Sequence, residues 1–151
     1  MLELARPGDL EAVNTLAKQV HDLHVQWRPD LFESVEELYS EERFHNALRQ
    51  RQLYVARLDN AVVGYGLLLM ETIDRPGMRK RKVMTVDEFC VHESCRGHGI
   101  GKAMMEDIHA LAKAFRCSDL QLKVYPQNDE AVGFYQKCGF TIQNIGMQKK
   151  V

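Results

Sequence analysis

The sequence of 151 residues has little of several features that mark particular classes of protein. Its four cysteines form no C-x-x-C pair and stand in no secretory context, so we expect reduced thiols rather than a disulfide framework. The longest apolar run, residues 62–70, contains two glycines and falls far short of the roughly 18 apolar residues of a membrane span. The N-terminus has no basic region followed by an apolar one, so no signal peptide is expected. We expect a cytoplasmic protein with no membrane partner.

An excess of charge of one sign is also missing. Lys and Arg total 20 against 21 Asp and Glu, which gives a net charge of −1. Nucleic-acid-binding proteins usually carry a clear positive excess, so we expect no nucleic-acid partner. The basic run at residues 79–82 is interpreted as a solvated turn. His21 and His24 are spaced to share one helix face, but no third ligand accompanies them, so no metal site is expected.

What is present is ordinary for a globular domain, with 45% hydrophobic and 27% charged residues. The length predicts one domain, residues 1–151, and a chain of this size buries roughly 68–70% of its unfolded surface. Such a core needs no disulfide or structural metal. The sequence leaves the oligomeric state open, and a homodimer is one possibility.

Hydrophobic periodicity predicts the element order β-α-α-β-β-β-α-β-α-β. Apolar residues recur at spacings of three and four between Leu10 and Trp27, which predicts a helix, and a possible capping box at Ser34 and Glu37 predicts a second. The remaining elements are predicted from β-forming runs, hairpin signals and further helical spacings. These are strands at 2–5, 52–58, 61–70, 83–91, 120–124 and 140–147, and helices at 100–115 and 131–138. Strands followed by helices in the second half imply parallel pairing and an α/β or α+β fold.

The most informative segment is a glycine-rich turn between a predicted strand and a predicted helix. It reads R-x-x-G-x-G, with Arg96, Gly99 and Gly101 in the defined positions. Unpaired backbone N–H groups at the positive end of a helix dipole bind anions, and glycines let a phosphate approach closely. The segment fits neither the Walker A nor the dinucleotide-binding pattern. A plain strand-to-helix turn is the alternative interpretation.

The turn resembles the pyrophosphate-binding signature of the GNAT superfamily of acyl-CoA-dependent N-acetyltransferases. Two further segments agree in order and spacing. Residues 87–91, Asp-Glu-Phe-Cys-Val, resemble the strand that pairs with the pantetheine arm, and residues 128–140 match the family pattern N-x-x-A-x-x-F-Y-x-x-x-G-F. The resemblance is specific over 83–142 and implies a single-domain α/β fold. That fold has a mixed central sheet flanked by helices, in which splayed parallel strands form the acyl-CoA cleft.

The resemblance also implies roles for individual residues. Acetyl-CoA would be the cosubstrate, with no metal. The residues that would bind it are Phe89, Cys90 and Val91 through their backbone, the turn residues Arg96, Gly97, His98, Gly99, Ile100, Gly101 and Lys102, and also Asn128 and Tyr135. Tyr135 is the candidate proton donor to the departing thiolate, against the alternative of a core tyrosine. Asn128 is at the same time a natural helix N-cap.

A base must take the proton of the acceptor amine, because a lysine-like amine has a pKa near 10.4. Asp87 and Glu88 are the candidates, since acids in an apolar strand demand an explanation. The alternative is that they pair with nearby Lys or Arg. Lys123 stands where the similar ribosomal-protein alanine acetyltransferases carry a glutamate, which turns attention to these upstream acids. Trp27, Asp30 and Phe32 fall in the region that walls the acceptor site in related proteins.

The sequence therefore predicts an N-acetyltransferase that moves an acetyl group from acetyl-CoA to a primary amine. The expected acceptor is a small molecule, either a polyamine or an amino-acid-like amine. Two alternatives remain open. One is acetylation of a protein N-terminus or lysine, and the other is a non-catalytic acyl-CoA-binding module. The presence of Tyr135 and of the strand acids favours an enzyme.

Overall fold

The computed structural model describes all residues, 1–151. Its helices are α1 Leu10–Trp27, α2 Glu41–Arg49, α3 Ile100–Ala114 and α4 Asp129–Lys137. Its strands are β1 Leu2–Leu4, β2 Leu53–Leu58, β3 Ala61–Ile73, β4 Arg81–Val91 and β5 Asp119–Leu122. Short 3-10 turns span Pro7–Asp9 and Glu93–Cys95. None of the helices is both long and apolar enough to cross a lipid bilayer.

The five strands form one sheet in the order β1-β2-β3-β4-β5. The first four are antiparallel neighbours, whereas β4 and β5 pair in parallel across the connection made by α3. The predicted mixed α/β sheet is confirmed. The Asp59-Asn60 hairpin is confirmed as well, because both residues have positive φ, 47° and 67°, as a two-residue turn of this kind requires.

Helices cover both faces of the sheet. On one face, Val13 and Leu16 of α1 and Phe44 of α2 pack with Leu53 and Leu67 of the sheet. On the other face, Met105 and Ile108 of α3 pack against Met84 and Val86 of β4, and residues of α4 join this cluster. Burial on both faces explains why the middle strands are apolar throughout instead of alternating.

The predicted start of the second helix at Ser34 is wrong. The helix begins at Glu41, where the Ser40 hydroxyl accepts a hydrogen bond from the Arg43 N–H at 3.1 Å. The physical reason lies at Tyr39, whose backbone N–H and C=O are bonded to the side chain of Asn14 at 2.8 and 3.0 Å. Because these backbone groups of Tyr39 are bonded to a side chain of α1, they cannot form helical hydrogen bonds. The second helix therefore begins only after Tyr39.

The predicted last strand, 140–147, is also wrong, and the strand predicted at 120–124 ends earlier, at Leu122. The C-terminal segment lies beside β5 and α1 through side chains. Gln143 donates to Gln121 at 3.4 Å, and Arg28 donates to Gln148 at 3.0 Å. A strand requires a backbone partner, and alternation in a sequence cannot reveal whether one is present.

Candidate active site

The centre of the site is a gap between two parallel strands. β4 and β5 are paired only over Val83–Val86 and Asp119–Leu122, whereas β4 runs on to Val91 with no strand on that side. The predicted splay therefore lies beside Phe89–Val91. This is the place where an extended ligand can pair with the backbone of β4.

The three residues expected to bind an extended ligand at this edge are Phe89, Cys90 and Val91. Their backbone N–H and C=O groups do not all point to the same side of β4. His92 donates its N–H to the carbonyl of Val63 at 2.7 Å, and Cys90 is paired with Tyr65. Because antiparallel pairing alternates along a strand, the groups of Cys90 are directed to β3, while those of Phe89 and Val91 are directed to the gap. The Val91 carbonyl already accepts hydrogen bonds from the side chains of Gln19 and Arg96, each at 3.3 Å. Phe89 is thus the residue best placed to bind an extended ligand through its backbone.

The glycine-rich turn leads directly into α3. Gly97 and Gly99 both have φ of +79°, and a Cβ on either would meet no protein atom within 4 Å. The first intrahelical donor is the Ala103 N–H, so the N–H groups of residues 100–102 have no helical partner. Positive φ, open space and free donors at the positive end of a helix suit a phosphate group.

Gly101 serves a different purpose. A Cβ here would lie 3.3 Å from the ring of Phe134 in α4 and 3.6 Å from Val91. The missing side chain therefore lets α3 approach α4 closely. Of the three glycines of the turn, two line open space and one packs a helix.

Of the polar residues of the turn, Arg96 is the one that reaches the gap. The Arg96 side chain reaches the Val91 carbonyl, and the His98 ring lies 3.0 Å from the Arg96 carbonyl. Lys102 is exposed and 3.9 Å from Glu106, a weak surface pair that leaves its charge available. Asn128 accepts a hydrogen bond from the Ala131 N–H at 3.1 Å, so its predicted role as the N-cap of α4 is confirmed.

Tyr135 lies on α4 and faces β4. Its ring packs against Phe89 at a centroid distance of 6.3 Å and against Phe140 at 5.8 Å. Burial raises the pKa of Tyr135 to about 12, and the neighbouring thiols of Cys90 and Cys138 add to this effect. Burial also raises the pKa of the Cys90 thiol to about 11, so Cys90 is no nucleophile at neutral pH.

The two strand acids are placed by a β-bulge. Leu67 of β3 faces Glu88 and the next residue, Leu68, faces Val86, so Asp87 is an extra residue in β4. Val86 points to the α3 face, and without the bulge Glu88 would point there too. The bulge turns Glu88 to the opposite face, which α1 and α2 cover.

On that face the Glu88 carboxylate is the centre of a hydrogen-bonded cluster. Its Oε2 accepts hydrogen bonds from the hydroxyls of Tyr39 at 2.7 Å and Tyr65 at 2.9 Å, and its Oε1 accepts one from Arg43 at 2.7 Å. The Arg43 guanidinium also lies 3.9 Å above the Tyr39 ring. Burial, with the adjacent Glu88 carboxylate, raises the pKa of both phenols, so both remain donors.

Tyr39, Arg43 and Tyr65 were not found from the sequence. They lie 49, 45 and 23 residues from Glu88, and none belongs to a recognisable motif. The sequence indicates only that a glutamate on an apolar strand needs partners, and it does not show which residues these partners are.

The predicted acceptor wall is an aromatic cluster at the end of α1. The His24 ring packs against three aromatic rings. The distances between ring centroids are 5.2 Å to Phe32, which it stacks on, 5.7 Å to Trp27 and 5.5 Å to Tyr125. Since Tyr125 follows β5, this cluster bridges α1 to the far side of the gap. Burial, together with the adjacent His21, lowers the pKa of His24, so its ring is neutral at pH 7. Asp30 is paired with Arg28 and Lys150.

The residues of the site fit coenzyme A. The open glycine turn suits a pyrophosphate and the free edge of β4 at Phe89 suits the amides of a pantetheine arm. Tyr135 packs against Phe89 beside this edge. Fold and site together define the class of acyl-CoA-dependent N-acetyltransferases.

Comparison with known proteins agrees with this class. The family model described as "Acetyltransferase (GNAT) family" matches residues 18–140. The chain therefore belongs to the GNAT acetyltransferase family. A crystal structure of a BH1408 protein variant from Bacillus halodurans is 30% identical, covers 100% of this chain and 99% of that one, and superposes with a TM-score of 0.95. An aminoglycoside N-acetyltransferase, AAC(6')-Iy in complex with CoA, shares the fold with a TM-score of 0.72 at 16% identity, covering 100% and 98% of the two chains.

Curated relatives match over shorter stretches. A spermine/spermidine N(1)-acetyltransferase of Bacillus subtilis is 34% identical over 36% of this chain and 37% of its own length. A peptidyl-lysine N-acetyltransferase, YjaB of Salmonella typhimurium, is 35% identical over 68% of this chain and 59% of its own length. The chain thus spans between about a third and three fifths of the curated relatives it matches.

Proposed function

We propose that this protein transfers the acetyl group of acetyl-CoA to a primary amine of a small molecule, either a polyamine or an amino-acid-like amine. The observation that carries the proposal is the convergence of four features on one gap. They are the open glycine turn, the unpaired edge of β4, Tyr135 on one side and the two strand acids on the other. A module that only binds acyl-CoA has no need of the last two.

Each side of the gap has its own part in the chemistry. Bound acetyl-CoA would supply a thioester carbonyl for the amine to attack. Tyr135 donates a hydrogen bond to the departing sulfur. Because its pKa of about 12 lies above the roughly 8.5 of a thiol, its proton stays mainly on the phenol, which stabilises the thiolate without being lost.

The charge of the acceptor side supports a cationic acceptor. The segment 28–40 between α1 and α2 contains four Asp and Glu residues against one Arg, and the first turn of α2 adds Glu41 and Glu42. Of these acids, Asp30 is paired with Arg28 and Lys150. Tyr39 in this segment contacts Glu88, so the acidic stretch borders the site. An acidic rim attracts a polyamine before it loses its proton. The spermine/spermidine acetyltransferase among the relatives supports the same class of substrate.

Acetylation of a protein lysine or N-terminus is the second candidate. It is favoured by the similarity to peptidyl-lysine acetyltransferases, which extends over more of the chain than that to the polyamine enzyme. A lysine side chain and a polyamine end present the same aminoalkyl group. The two candidates therefore differ in what surrounds the amine, not in the chemistry.

The discriminating experiment is a screen of amines with acetyl-CoA. Products are detected by mass spectrometry and coenzyme A release by a thiol assay corrected for the four cysteines. We expect turnover of spermidine or an amino-acid-like amine to exceed that of lysine peptides in kcat/KM. Faster acetylation of peptides would replace the first candidate by the second, and no turnover of any amine would contradict both.

The cellular compartment of the protein remains a prediction. All four cysteines are free thiols, which supports a reducing compartment such as the cytoplasm. The division into one domain and the possibility of a homodimer also stay predictions. Size-exclusion chromatography with light scattering measures the oligomeric state directly.

A further inference from the structure

Two neighbouring acids of β4 stand in different environments, although the sequence offers both as candidate bases. The bulge makes Asp87 the residue without a partner in β3, and it places Glu88 against Tyr39 and Tyr65. The difference between the two side chains shows which of them is free to take a proton.

Glu88 is engaged at three of the roughly four lone-pair positions of a carboxylate. Its Oε2 accepts two phenol hydrogen bonds, so a proton would have to bind to Oε1, beside the guanidinium of Arg43 to which that oxygen is paired. Its side chain is 25% exposed, and the contacts come from the segment before α2, from α2 and from β3. Such a group holds three separate parts of the chain together at the bulge.

Asp87 is exposed and forms no ion pair. The nearby cation, Arg43, is bonded to Glu88 instead. The Asp87 carboxylate also helps to raise the pKa of Tyr39, so it lies close to the Glu88 cluster. Because Arg43 is paired with Glu88, the negative charge of Asp87 is not compensated by an ion pair.

We propose that Asp87 accepts the proton of the acceptor ammonium, and that Glu88 is a positioning residue. Through Arg43 and the two phenols, Glu88 holds the bulge that presents Asp87. This inference rests on the proposed function and assigns the part of that mechanism which the sequence left open.

The proton and electron balance is as follows. Asp87 takes one proton from the ammonium and later returns it to water. The nitrogen lone pair forms the bond to the acetyl carbon, the carbon–sulfur bond breaks, and its electron pair leaves with the sulfur. The second nitrogen proton, released as the amide forms, ends on that sulfur.

The charged and titratable groups around Asp87 come from each neighbouring element. Glu88 stands beside it on β4, Tyr65 is on β3, Tyr39 precedes α2, and Arg43 is on α2. Across the gap, Lys123 follows β5. The charge of Arg43 is compensated by Glu88, with which it forms an ion pair at 2.7 Å.

The test compares pH–rate profiles of Asp87→Asn and Glu88→Gln with spermidine as the acceptor. For Asp87→Asn we expect kcat/KM at pH 7 to fall by about 10²-fold and to recover as pH approaches the pKa of the free amine, about 10.4. For Glu88→Gln we expect a loss of kcat that is uniform in pH, with a lower Tm. Arg43→Lys should retain more activity than Arg43→Gln. Glu71→Gln, an exposed acid on β3, is the matched control and should behave as wild type.

A wild-type pH profile in Asp87→Asn, or recovery at high pH in Glu88→Gln alone, would overturn the assignment. If the wild-type protein binds coenzyme A but acetylates no amine, the proposed function is contradicted instead. In that case spermidine binding, measured by calorimetry on the coenzyme A complex, still tests Asp87. We expect Asp87→Asn to weaken it at least fivefold and Glu71→Gln to leave it unchanged, and equal binding by all forms would contradict the inference.

Discussion

At the scale of single residues, the site depends on how each side chain is partnered more than on which residue type it is. Asp87 and Glu88 are adjacent acids, yet one is exposed and the other accepts three hydrogen bonds. A buried hydroxyl without a partner costs about 1–3 kcal/mol, so Tyr39 and Tyr65 both depend on the Glu88 carboxylate. The chemistry of the site and the stability of its walls are therefore coupled through Glu88.

Tyr135→Phe tests the residue on the other side of the gap. The change keeps the ring and its packing on Phe89 but removes the hydroxyl. We expect coenzyme A to bind nearly as before and kcat to fall by about 10²-fold. The loss lies at the lower end of the usual range, because a thiolate with a pKa near 8.5 can also leave unaided. Steady-state kinetics and calorimetry measure the two quantities.

Tyr54→Phe is the matched control for this variant. Tyr54 is a buried tyrosine of the same core cluster, and burial likewise raises its pKa, but it lies on β2 away from the gap. It should retain full activity. Equal kcat values for Tyr135→Phe and wild type would show that Tyr135 is only a core residue and that solvent stabilises the departing thiolate.

At the scale of elements, the sequence predicted what local patterns determine and missed what distant contacts determine. Five of the six predicted strands, the hairpin at Asp59-Asn60 and the glycine turn depend on residues close together in the chain, and they were found, whereas the strand predicted at 140–147 is absent. The start of α2 depends on Asn14, 25 residues from Tyr39, and was misplaced. The bulge at Asp87 depends on the register between two strands, which no single-strand pattern contains.

Gly99→Val tests the turn as a phosphate site. The variant forces a β-branched residue into positive φ, which costs about 1–3 kcal/mol of stability, and places its side chain in the space proposed for the pyrophosphate. We expect the affinity for coenzyme A to fall at least tenfold by calorimetry, beyond any loss of folded protein.

Gly77→Val provides the control for backbone strain. Gly77 has φ of +83°, has open space around it, and lies in the turn between β3 and β4. Its variant should lose similar stability yet bind coenzyme A normally. If the two variants bind coenzyme A equally well, Gly99 is needed only for the positive φ of the turn, and the assignment of the turn as a phosphate site is wrong.

At the scale of the whole molecule, the gap divides the sheet near its end. β5 is joined to β4 over only four residue pairs, and α4 reaches β4 through the Phe89–Phe134 stack at 5.8 Å. The part of the chain after α3 is therefore attached to the rest by few backbone contacts. A ligand that pairs with the free edge of β4 and with α3 would connect the two sides.

Binding of coenzyme A should raise the melting temperature of the whole protein, because a ligand that binds only the folded state stabilises it by mass action. At a ligand concentration of 100 Kd the stabilisation is about 2.7 kcal/mol, which for a chain of this size corresponds to a rise in Tm of roughly 5–11 °C. Differential scanning calorimetry over a series of coenzyme A concentrations measures it, and dephospho-coenzyme A should act similarly. NAD and ATP carry phosphates but no pantetheine arm to pair with β4, so they should shift Tm little. A shift by ATP as large as that by coenzyme A would mean that the turn alone binds the ligand and that the gap beside Phe89 contributes nothing.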